Sequence, residues 1–421
     1  MLCAGEPEAA AEPEPETETR PVSARKPAPR GAAAGPRRAP GSTARRPKRR
    51  PGHPAKPRKP AKGARKTRTR RDPLWARLMI AVGVLLVLAS GGLIGAGKVL
   101  AHRYDSSVKK DTLIADDARA DPARAPSRIV GPLNFLLLGS DARPEENIDG
   151  TRADTIIVAH VPASLDRVYL VSIPRDLRVE IPPYPPNGFE GSHEKINAAF
   201  QAAGGGSDGV QLVSMTVAKL LNIRFDGAAV VDFTGFQDVV KALGGVDLCV
   251  DHRVVSEHVG FDDKGKYLHP KDGGEAVVYE VGCREFNGWQ ALDYVRQRYS
   301  LPDGDYGRQR HQQQFLQAVL RKARAQGFTT NPIKLDRLIR AVAGTLTVDT
   351  GGMSLESLVF GLREIGPGDI IGVTVPSEPA WIGNTSYILP FEEEAASLYD
   401  AVAGDSLEAW VDANPQWVNR L

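Results

Sequence analysis

The order of apolar and polar positions predicts strands that alternate with helices. Residues 133–138 (LNFLLL) form a continuous apolar run between Pro132 and Gly139, which is typical of a buried central strand. Similar runs at 155–161 and 167–173 are separated by a turn at 162–166. The pattern also predicts helices at 194–203, 209–221, 233–243, 333–342 and 354–364, strands at 228–232, 246–250 and 370–375, and a helical C-terminus from 391. This alternation predicts one α/β domain whose central sheet is covered by helices on both faces.

A different pattern precedes this domain. Residues 78–97 carry no charged side chain, and a helix of this length spans about 30 Å of membrane. The Lys and Arg residues between 65 and 77 outnumber those just beyond the run, so we expect a cytoplasmic N-terminus. The sequence therefore predicts a disordered basic tail at 1–77, a transmembrane helix at 78–97, a polar extracytoplasmic stalk at 98–130 and one folded domain at 131–421.

The formal net charge of +3 averages two parts of opposite character. Residues 20–77 hold 21 of the 54 Lys and Arg residues and a single acid, Asp72. From residue 98 onward, 44 acidic residues outnumber 33 basic ones. This balance argues against nucleic acid as the partner of the folded part, and we expect the basic tail to lie against anionic lipid.

The stretch 287–313 gathers positive charge within this acidic part. It contains Arg296, Arg298, Arg308 and Arg310, followed by His311. The pattern predicts two helices, the first opening at 287–288 and the second near 308, with arginines at their junction. Guanidinium groups placed there suit a phosphate-rich ligand, because each is a planar fork of donors that is always charged. A solvated surface turn is the alternative.

Charged residues also lie at the ends of the predicted strands. Asp141 follows the first strand, Asp154 precedes the second, and Arg175 follows the third. If the first two strands are neighbours, both carboxylates meet at one sheet edge, where Mg²⁺ would relieve their repulsion and accept phosphate oxygens. Turn or helix-cap chemistry is the alternative for each aspartate, and a surface pair with Asp176 is the alternative for Arg175.

The folded part contains Cys249 and Cys283. Outside the cytoplasm, a disulfide between them would close a loop of about 34 residues, and two buried free thiols are the alternative. We find no zinc-ligand spacing, phosphate-binding glycine loop or serine-hydrolase motif in the sequence.

Several ordered blocks of the sequence resemble those of the LytR-CpsA-Psr (LCP) family of cell-wall glycopolymer ligases. The blocks are NFLLLGSDAR, RADTIIVAHV, VYLVSIPRDLRV, EKINAAF, DFTGFQDVVKALGGVDLCV and NGWQALDYVRQRYSLPDGDYGRQRHQQQF. The resemblance implies a three-layer α/β/α sandwich with a central mixed sheet, whose core holds a polyprenyl chain. The Ala-, Arg- and Gly-rich composition resembles that of actinobacterial members.

The resemblance also implies an activity. Members transfer a glycopolymer from a polyprenyl-pyrophosphate carrier to peptidoglycan, at the C6 hydroxyl of N-acetylmuramic acid, with Mg²⁺ (or Mn²⁺ in its place) as cofactor. The expected partners are therefore the lipid-linked glycopolymer, peptidoglycan and the membrane. A polyprenyl-pyrophosphate phosphatase and a non-catalytic regulator of the envelope are the alternatives.

Individual site residues follow from the matching motifs. The resemblance assigns metal binding to Asp141 and Asp154, and pyrophosphate binding to Arg175, Arg296, Arg298 and Arg308. It assigns catalysis to Asp154, Arg175, Arg296 and Arg298, and a polar contact to the phosphates to Gln312. One position departs from the family pattern: His311 stands where an arginine is usual, and the adjacent Arg310 is the alternative substrate ligand. The proton acceptor for the incoming hydroxyl stays open among Asp154, Asp176 and a phosphate oxygen.

Overall fold

The computed structural model describes residues 109–121, 129–140, 153–342, 346–419 and 421. Within these ranges the strands, numbered in chain order, are β1 (Lys109–Lys110), β2 (Leu133–Ser140), β3 (Ala153–Val161), β4 (Val168–Ser172), β5 (Arg178–Ile181), β6 (Ser192–Lys195), β7 (Gly227–Val231), β8 (Val246–Val250), β9 (Val254–Phe261), β10 (Glu275–Tyr279), β11 (Gly282–Phe286), β12 (Leu346–Asp349), β13 (Ile370–Thr374), β14 (Ser377–Ile382), β15 (Thr385–Pro390) and β16 (Val418–Asn419). The α-helices are α1 (Ala198–Ala202), α2 (Gly206–Leu221), α3 (Phe233–Ala242), α4 (Gly288–Arg296), α5 (Asp305–Ala325), α6 (Pro332–Val342), α7 (Leu355–Gly361), α8 (Glu392–Ala403) and α9 (Leu407–Ala413).

Eight of the described strands form one mixed sheet, in the order β1-β12-β7-β2-β3-β4-β13-β16. β2 pairs with β3 antiparallel and with β7 parallel, and β3 pairs with β4 antiparallel. The strands predicted at 133–138, 155–161 and 167–173 are thus present as neighbours. Because β2, β4 and β7 run in one direction, they end at the same edge of the sheet, where β3 begins. This edge carries the candidate site.

Helices cover both faces of this sheet, as the sequence predicts. Leu136 and Leu138 of β2 pack in a core with the α2 residues Leu212 and Val217. Leu137, which points to the opposite face because side chains alternate along a strand, packs in a cluster that includes α5. The result is a mixed α/β architecture with a central sheet between helical layers.

Four two-stranded ribbons flank the main sheet: β5–β6, β8–β11, β9–β10 and β14–β15. In the β8–β11 ribbon the register places Cys249 directly opposite Cys283, and a disulfide joins them. The pairing expected from the sequence is therefore present in the structure. Most strands of these ribbons, together with β12, are not predicted by the sequence pattern, because their apolar positions are few and half-exposed.

Two segments differ from the sequence-based expectation. Part of the predicted stalk belongs to the fold: β1 pairs with β12, Leu113 and Ile114 are buried, and Arg119 forms an ion pair with Asp349 at 2.6 Å. The helix predicted at 194–203 is instead the end of strand β6 followed by the short helix α1. Pairing of β6 with β5 outweighs the local helical pattern there.

The predicted membrane span at 78–97 lies outside the described residues. In the part of the chain that the structure describes, no helix is long and apolar enough to cross a membrane.

Candidate functional site

Two helices meet within the stretch 287–313, as the sequence predicts. α4 begins with a capping box: the side chains of Asn287 and Gln290 each accept the other residue's backbone N–H, both at 3.1 Å. α4 gives way to extended backbone at Gln297, and Gly304 adopts a positive φ of 55° directly before α5. Arg308 therefore lies in the first turn of α5 rather than at its start.

An apolar cavity of about 320 Å³ lies between the sheet and helices α3, α4 and α5. Its apolar lining includes Leu137, Ile157, Phe236, Val295, Phe315 and Val319. The polar lining comes partly from the shared strand edge, where Ser140 ends β2, Asp154 lies near the start of β3 and Asp232 follows β7. The cavity thus combines a largely apolar interior with polar groups supplied by one edge of the sheet, which suits an amphiphilic ligand.

Arg175 follows β4 at this edge and is held by carboxylates. One of its terminal nitrogens donates to Asp154 Oδ1 at 2.6 Å, and its Nε lies 3.7 Å from Asp176 Oδ2. Asp176 also pairs with Lys195 at 3.1 Å. Burial alone would lower the pKa of Arg175, but the nearby Asp154, with help from Asp176 and Asp305, raises that pKa above its ordinary value.

Arg308 and Asp305 form a buried ion pair on the first turn of α5. Arg308 is 6% exposed and Asp305 7%, and a guanidinium nitrogen lies 2.7 Å from Asp305 Oδ1. Arg298 approaches the same oxygen at 3.6 Å and Asp176 at 3.7 Å. Burial lowers the pKa of Arg308, and Asp305 opposes that shift. Sequence reasoning missed Asp305 as a site residue, although it stands in the DYGR block.

We call Arg175, Arg298, Arg308, Asp154, Asp176 and Asp305 the charged cluster. Within it, the Nε atoms of Arg175 and Arg308 are buried and have no hydrogen-bond partner among the described residues. Buried polar groups in proteins are nearly always hydrogen-bonded, so unpaired N–H groups beside a cavity indicate a place for an anionic ligand.

Arg296 also lines the cavity and lies over an aromatic ring. Its guanidinium carbon is 4.2 Å from the centroid of the Phe233 ring. Burial lowers the pKa of the neighbouring His258, and the positive charge of Arg296 lowers it further. Arg296 therefore lines the same cavity as Arg175, Arg298 and Arg308.

Arg310, which the sequence suggests as a substrate ligand, is not among the residues that line the cavity. Arg310 pairs with Asp303 at 2.5 Å and with Asp251 at 3.1 Å. His311 is fully buried, and its Nε2 lies 3.0 Å from the Tyr294 hydroxyl and 3.2 Å from Asp251. Burial would raise the pKa of Asp251, but His311 and Arg310 hold it well below its usual range. These two basic residues stabilise the far side of α5.

Helix geometry explains this outcome. Arg308 and Gln312 are four residues apart on α5, so they share one face, and both line the cavity. Arg310, two residues from each, points to a different side of the helix. Gln312 therefore shares the cavity-facing side of α5 with Arg308.

Of the two predicted metal ligands, Asp141 lies outside the described residues. Asp154 lines the cavity with its side chain 32% exposed. The described residues contain no group of three or more His, Cys, Asp or Glu side chains arranged to hold a metal ion. At phosphate sites Mg²⁺ commonly uses one or two carboxylates together with phosphate oxygens. Asp154 is compatible with that kind of shared site.

A fully buried polar network lies beneath the end of α4. Asp293 Oδ1 accepts hydrogen bonds from Ser256 at 2.9 Å and Gln297 at 2.8 Å, and Oδ2 accepts from the Tyr279 hydroxyl at 2.7 Å. The Gln297 side chain also accepts the backbone N–H of Glu257 at 2.9 Å. Burial raises the pKa of Asp293. The network thus joins α4 to β9 and β10, and sequence reasoning missed it.

Gln297 lies between two arginines in the sequence. Its side chain is fully buried in the network, while the residues on either side of it, Arg296 and Arg298, both line the cavity.

The chain is similar to proteins of a known family in both sequence and fold. A model of the LytR_cpsA_psr family matches residues 98–403 of the chain. The crystal structure of protein gbs0355 from Streptococcus agalactiae superposes with a TM-score of 0.53 at 23% identity, covering 65% of this chain and 87% of that one. This likeness supports the fold.

Two curated relatives are similar in sequence. The probable cell wall biosynthesis protein LcpB of Corynebacterium glutamicum is 32% identical over 271 residues, which cover 61% of this chain and 57% of LcpB. The polyisoprenyl-teichoic acid–peptidoglycan teichoic acid transferase TagU of Enterococcus faecalis is 28% identical over 284 residues, 68% of this chain and 82% of TagU. The match therefore spans less than two thirds of the length of LcpB.

We expect the buried network to be necessary for stability. Asp293→Ala leaves the Tyr279 hydroxyl and the Gln297 amide without their acceptor, so the free energy of unfolding should fall by about 3 kcal/mol. Asp293→Asn keeps one acceptor oxygen and should lose less. Urea denaturation measures both values, with Asp263→Ala, at an exposed position of the adjacent loop, as the control. Equal values for all three variants would contradict the assignment.

Proposed function

The chain belongs to the LytR-CpsA-Psr family, and from this premise we propose that it is a phosphotransferase of cell wall assembly. It transfers a glycopolymer from a polyprenyl-pyrophosphate carrier to peptidoglycan, at the C6 hydroxyl of muramic acid. The teichoic acid transferase among its relatives supports this reaction class. The observation that carries the proposal is the apolar cavity with the charged cluster at its polar edge.

The two parts of the cavity match the two parts of such a carrier. A polyprenyl chain is apolar and would be removed from water by the side chains between the sheet and α3, α4 and α5. The pyrophosphate is anionic and would accept hydrogen bonds from Arg175, Arg298 and Arg308. The unpartnered Nε atoms of Arg175 and Arg308 would then be satisfied.

The charged cluster has a defined task in the transfer. Three guanidinium groups pair with the three carboxylates of this cluster, and Lys195 also contacts Asp176. A bound pyrophosphate would compete with the carboxylates for the arginines. During transfer, negative charge grows on the departing polyprenyl phosphate, and fixed guanidinium groups stabilise that charge without reorganising.

Magnesium is a further part of the proposal, with Mn²⁺ as a substitute. Asp154 and Asp141 would hold the ion together with phosphate oxygens. Such an ion neutralises negative charge on the phosphates. The residues of this chain orient the phosphates against the arginines.

We also propose that the chain is anchored in the cell membrane by the span at 78–97. The N-terminal tail would then lie in the cytoplasm and the folded domain outside it, facing peptidoglycan. The disulfide between Cys249 and Cys283 supports this placement, because disulfides persist in oxidising compartments.

The reaction can be tested with a radiolabelled polyprenyl-pyrophosphoryl oligosaccharide and purified peptidoglycan. We expect label to become bound to peptidoglycan, with polyprenyl phosphate released in equal amount. Arg175→Ala and Arg308→Ala should each lower the rate of transfer about 10²- to 10³-fold, because each removes donors to the phosphates.

Arg363→Ala is the matched control, since Arg363 is exposed and pairs only with Glu364 and a local carbonyl in the described structure. Release of free saccharide phosphate, equal with and without peptidoglycan, would indicate a phosphatase instead. Full activity of both cluster variants would favour a non-catalytic role.

The cavity itself can be tested by filling it. Ala229 lines its wall on β7, so Ala229→Phe should weaken binding of a long-chain donor at least about tenfold by occupying space. A water-soluble donor with a short prenyl chain should lose much less. Ala409→Phe, at an exposed position of α9, is the control. Equal losses for long and short chains would exclude the cavity as the lipid site.

Binding of the divalent metal ion at Asp154 can be measured separately from transfer activity. Titration of Mn²⁺ by electron paramagnetic resonance in the presence of a pyrophosphate donor should show one bound ion. Asp154→Asn should weaken that binding at least about tenfold, because a charged ligand is lost. Unchanged affinity in the variant would remove Asp154 from the metal site.

A further inference from the structure

The proposed transfer requires a group that accepts the proton of the incoming hydroxyl. The two carboxylates suggested by the sequence are occupied by cations. Asp154 receives a hydrogen bond from Arg175 at 2.6 Å, and Asp176 lies 3.1 Å from Lys195 and 3.7 Å from Arg298. Both carboxylates are therefore engaged by cations, whereas the cavity lining also contains a histidine.

His258 lines the cavity beside Arg296. Its backbone is fixed on both sides, because its N–H donates to the Ser256 hydroxyl at 3.1 Å and its carbonyl accepts from the Tyr267 hydroxyl at 3.2 Å. Ser256 is itself tied to Asp293 at 2.9 Å. The buried network around Asp293 therefore helps to position His258.

The surroundings of the imidazole favour its neutral form, in which one ring nitrogen is an acceptor. Burial lowers the pKa of His258, the charge of Arg296 lowers it further, and His269 adds to this effect. Interaction of the ring with the backbone of Arg296 raises the pKa of His258 and so opposes this preference. Glu257 opposes it as well, but one of its carboxylate oxygens is engaged by the backbone N–H groups that follow Arg298, at 2.7 and 3.0 Å.

We propose that His258 is the general base of the transfer; this inference rests on the proposed function. The unprotonated ring nitrogen takes the proton as the acceptor oxygen forms a bond to the phosphorus that carries the glycopolymer. The bond from that phosphorus to the polyprenyl phosphate breaks, and its electron pair leaves with the polyprenyl phosphate. The imidazolium then releases its proton to solvent.

Single-turnover transfer measured across pH 4.5 to 8.5 tests this assignment. Because only the neutral imidazole can accept a proton, the wild-type rate should decrease as the pH is lowered. The midpoint of that decrease should lie below the ordinary His pKa of about 6.5. His258→Gln should lower the transfer rate about 10²- to 10⁴-fold and abolish that acidic midpoint, while the dissociation constant of the donor changes less than about threefold. Added imidazole should partly restore the rate of His258→Gly.

His193→Gln is the matched control, because His193 is exposed on β6 and does not line the cavity. An unchanged rate, or a retained acidic midpoint, in His258→Gln would overturn the proposal. A loss of donor affinity equal to the loss of rate, without rescue by imidazole, would also overturn it, since this indicates a structural role. If the wild-type protein only hydrolyses the donor, peptidoglycan is not the acceptor and the proposed function is wrong. The same variants then show separately whether His258 acts as the base that activates the attacking water.

Discussion

The buried ion pair between Arg308 and Asp305 is the interaction on which the rest of the site depends. A guanidinium group that is 6% exposed beside an apolar cavity is costly to desolvate, and the carboxylate 2.7 Å away offsets part of that cost. Asp305 also approaches Arg298, so one buried carboxylate positions two arginines. This pair keeps positive charge at the polar edge of a cavity that otherwise excludes water.

The fold supplies the other half of this arrangement. Because β2, β4 and β7 end at one edge and β3 begins there, residues far apart in sequence meet beside the first turn of α5. Below that edge, most of the cavity wall consists of apolar side chains from the same strands and from α3, α4 and α5. An apolar interior joined to a cationic edge is the physical description of a site for lipid-linked phosphate. The buried network around Asp293 then helps to position His258, which lines the same cavity.

The central strands and the helix junction could be predicted because their signals are local. The apolar run at 133–138 has the length of a buried strand, and residues 287–288 carry the cap of a helix. The role of Arg310 could not be predicted in this way. Its motif position suggested a phosphate ligand, whereas the angular position of each residue on α5 decides that Arg308 and Gln312 face the cavity.

Other features could not be predicted from the sequence pattern, because they depend on contacts between residues that are far apart in the sequence. The segment before β2 is polar enough to suggest a stalk, yet Leu113 and Ile114 are buried and Arg119 is bound by Asp349. The network of Asp293 and Gln297 likewise connects α4 to β9 and β10, and no spacing along the chain indicates it. Such residues can be identified only from the contacts between the two-stranded ribbons and the helices.

Mass spectrometry of lipid extracted from the protein, purified under mild conditions from its native host, tests the central claim most directly. We expect a polyprenyl phosphate or pyrophosphate at close to one molecule per chain, and a marked loss of that lipid when Arg308 is replaced by alanine. Recovery of ordinary phospholipids alone, in equal amounts from both proteins, would contradict it.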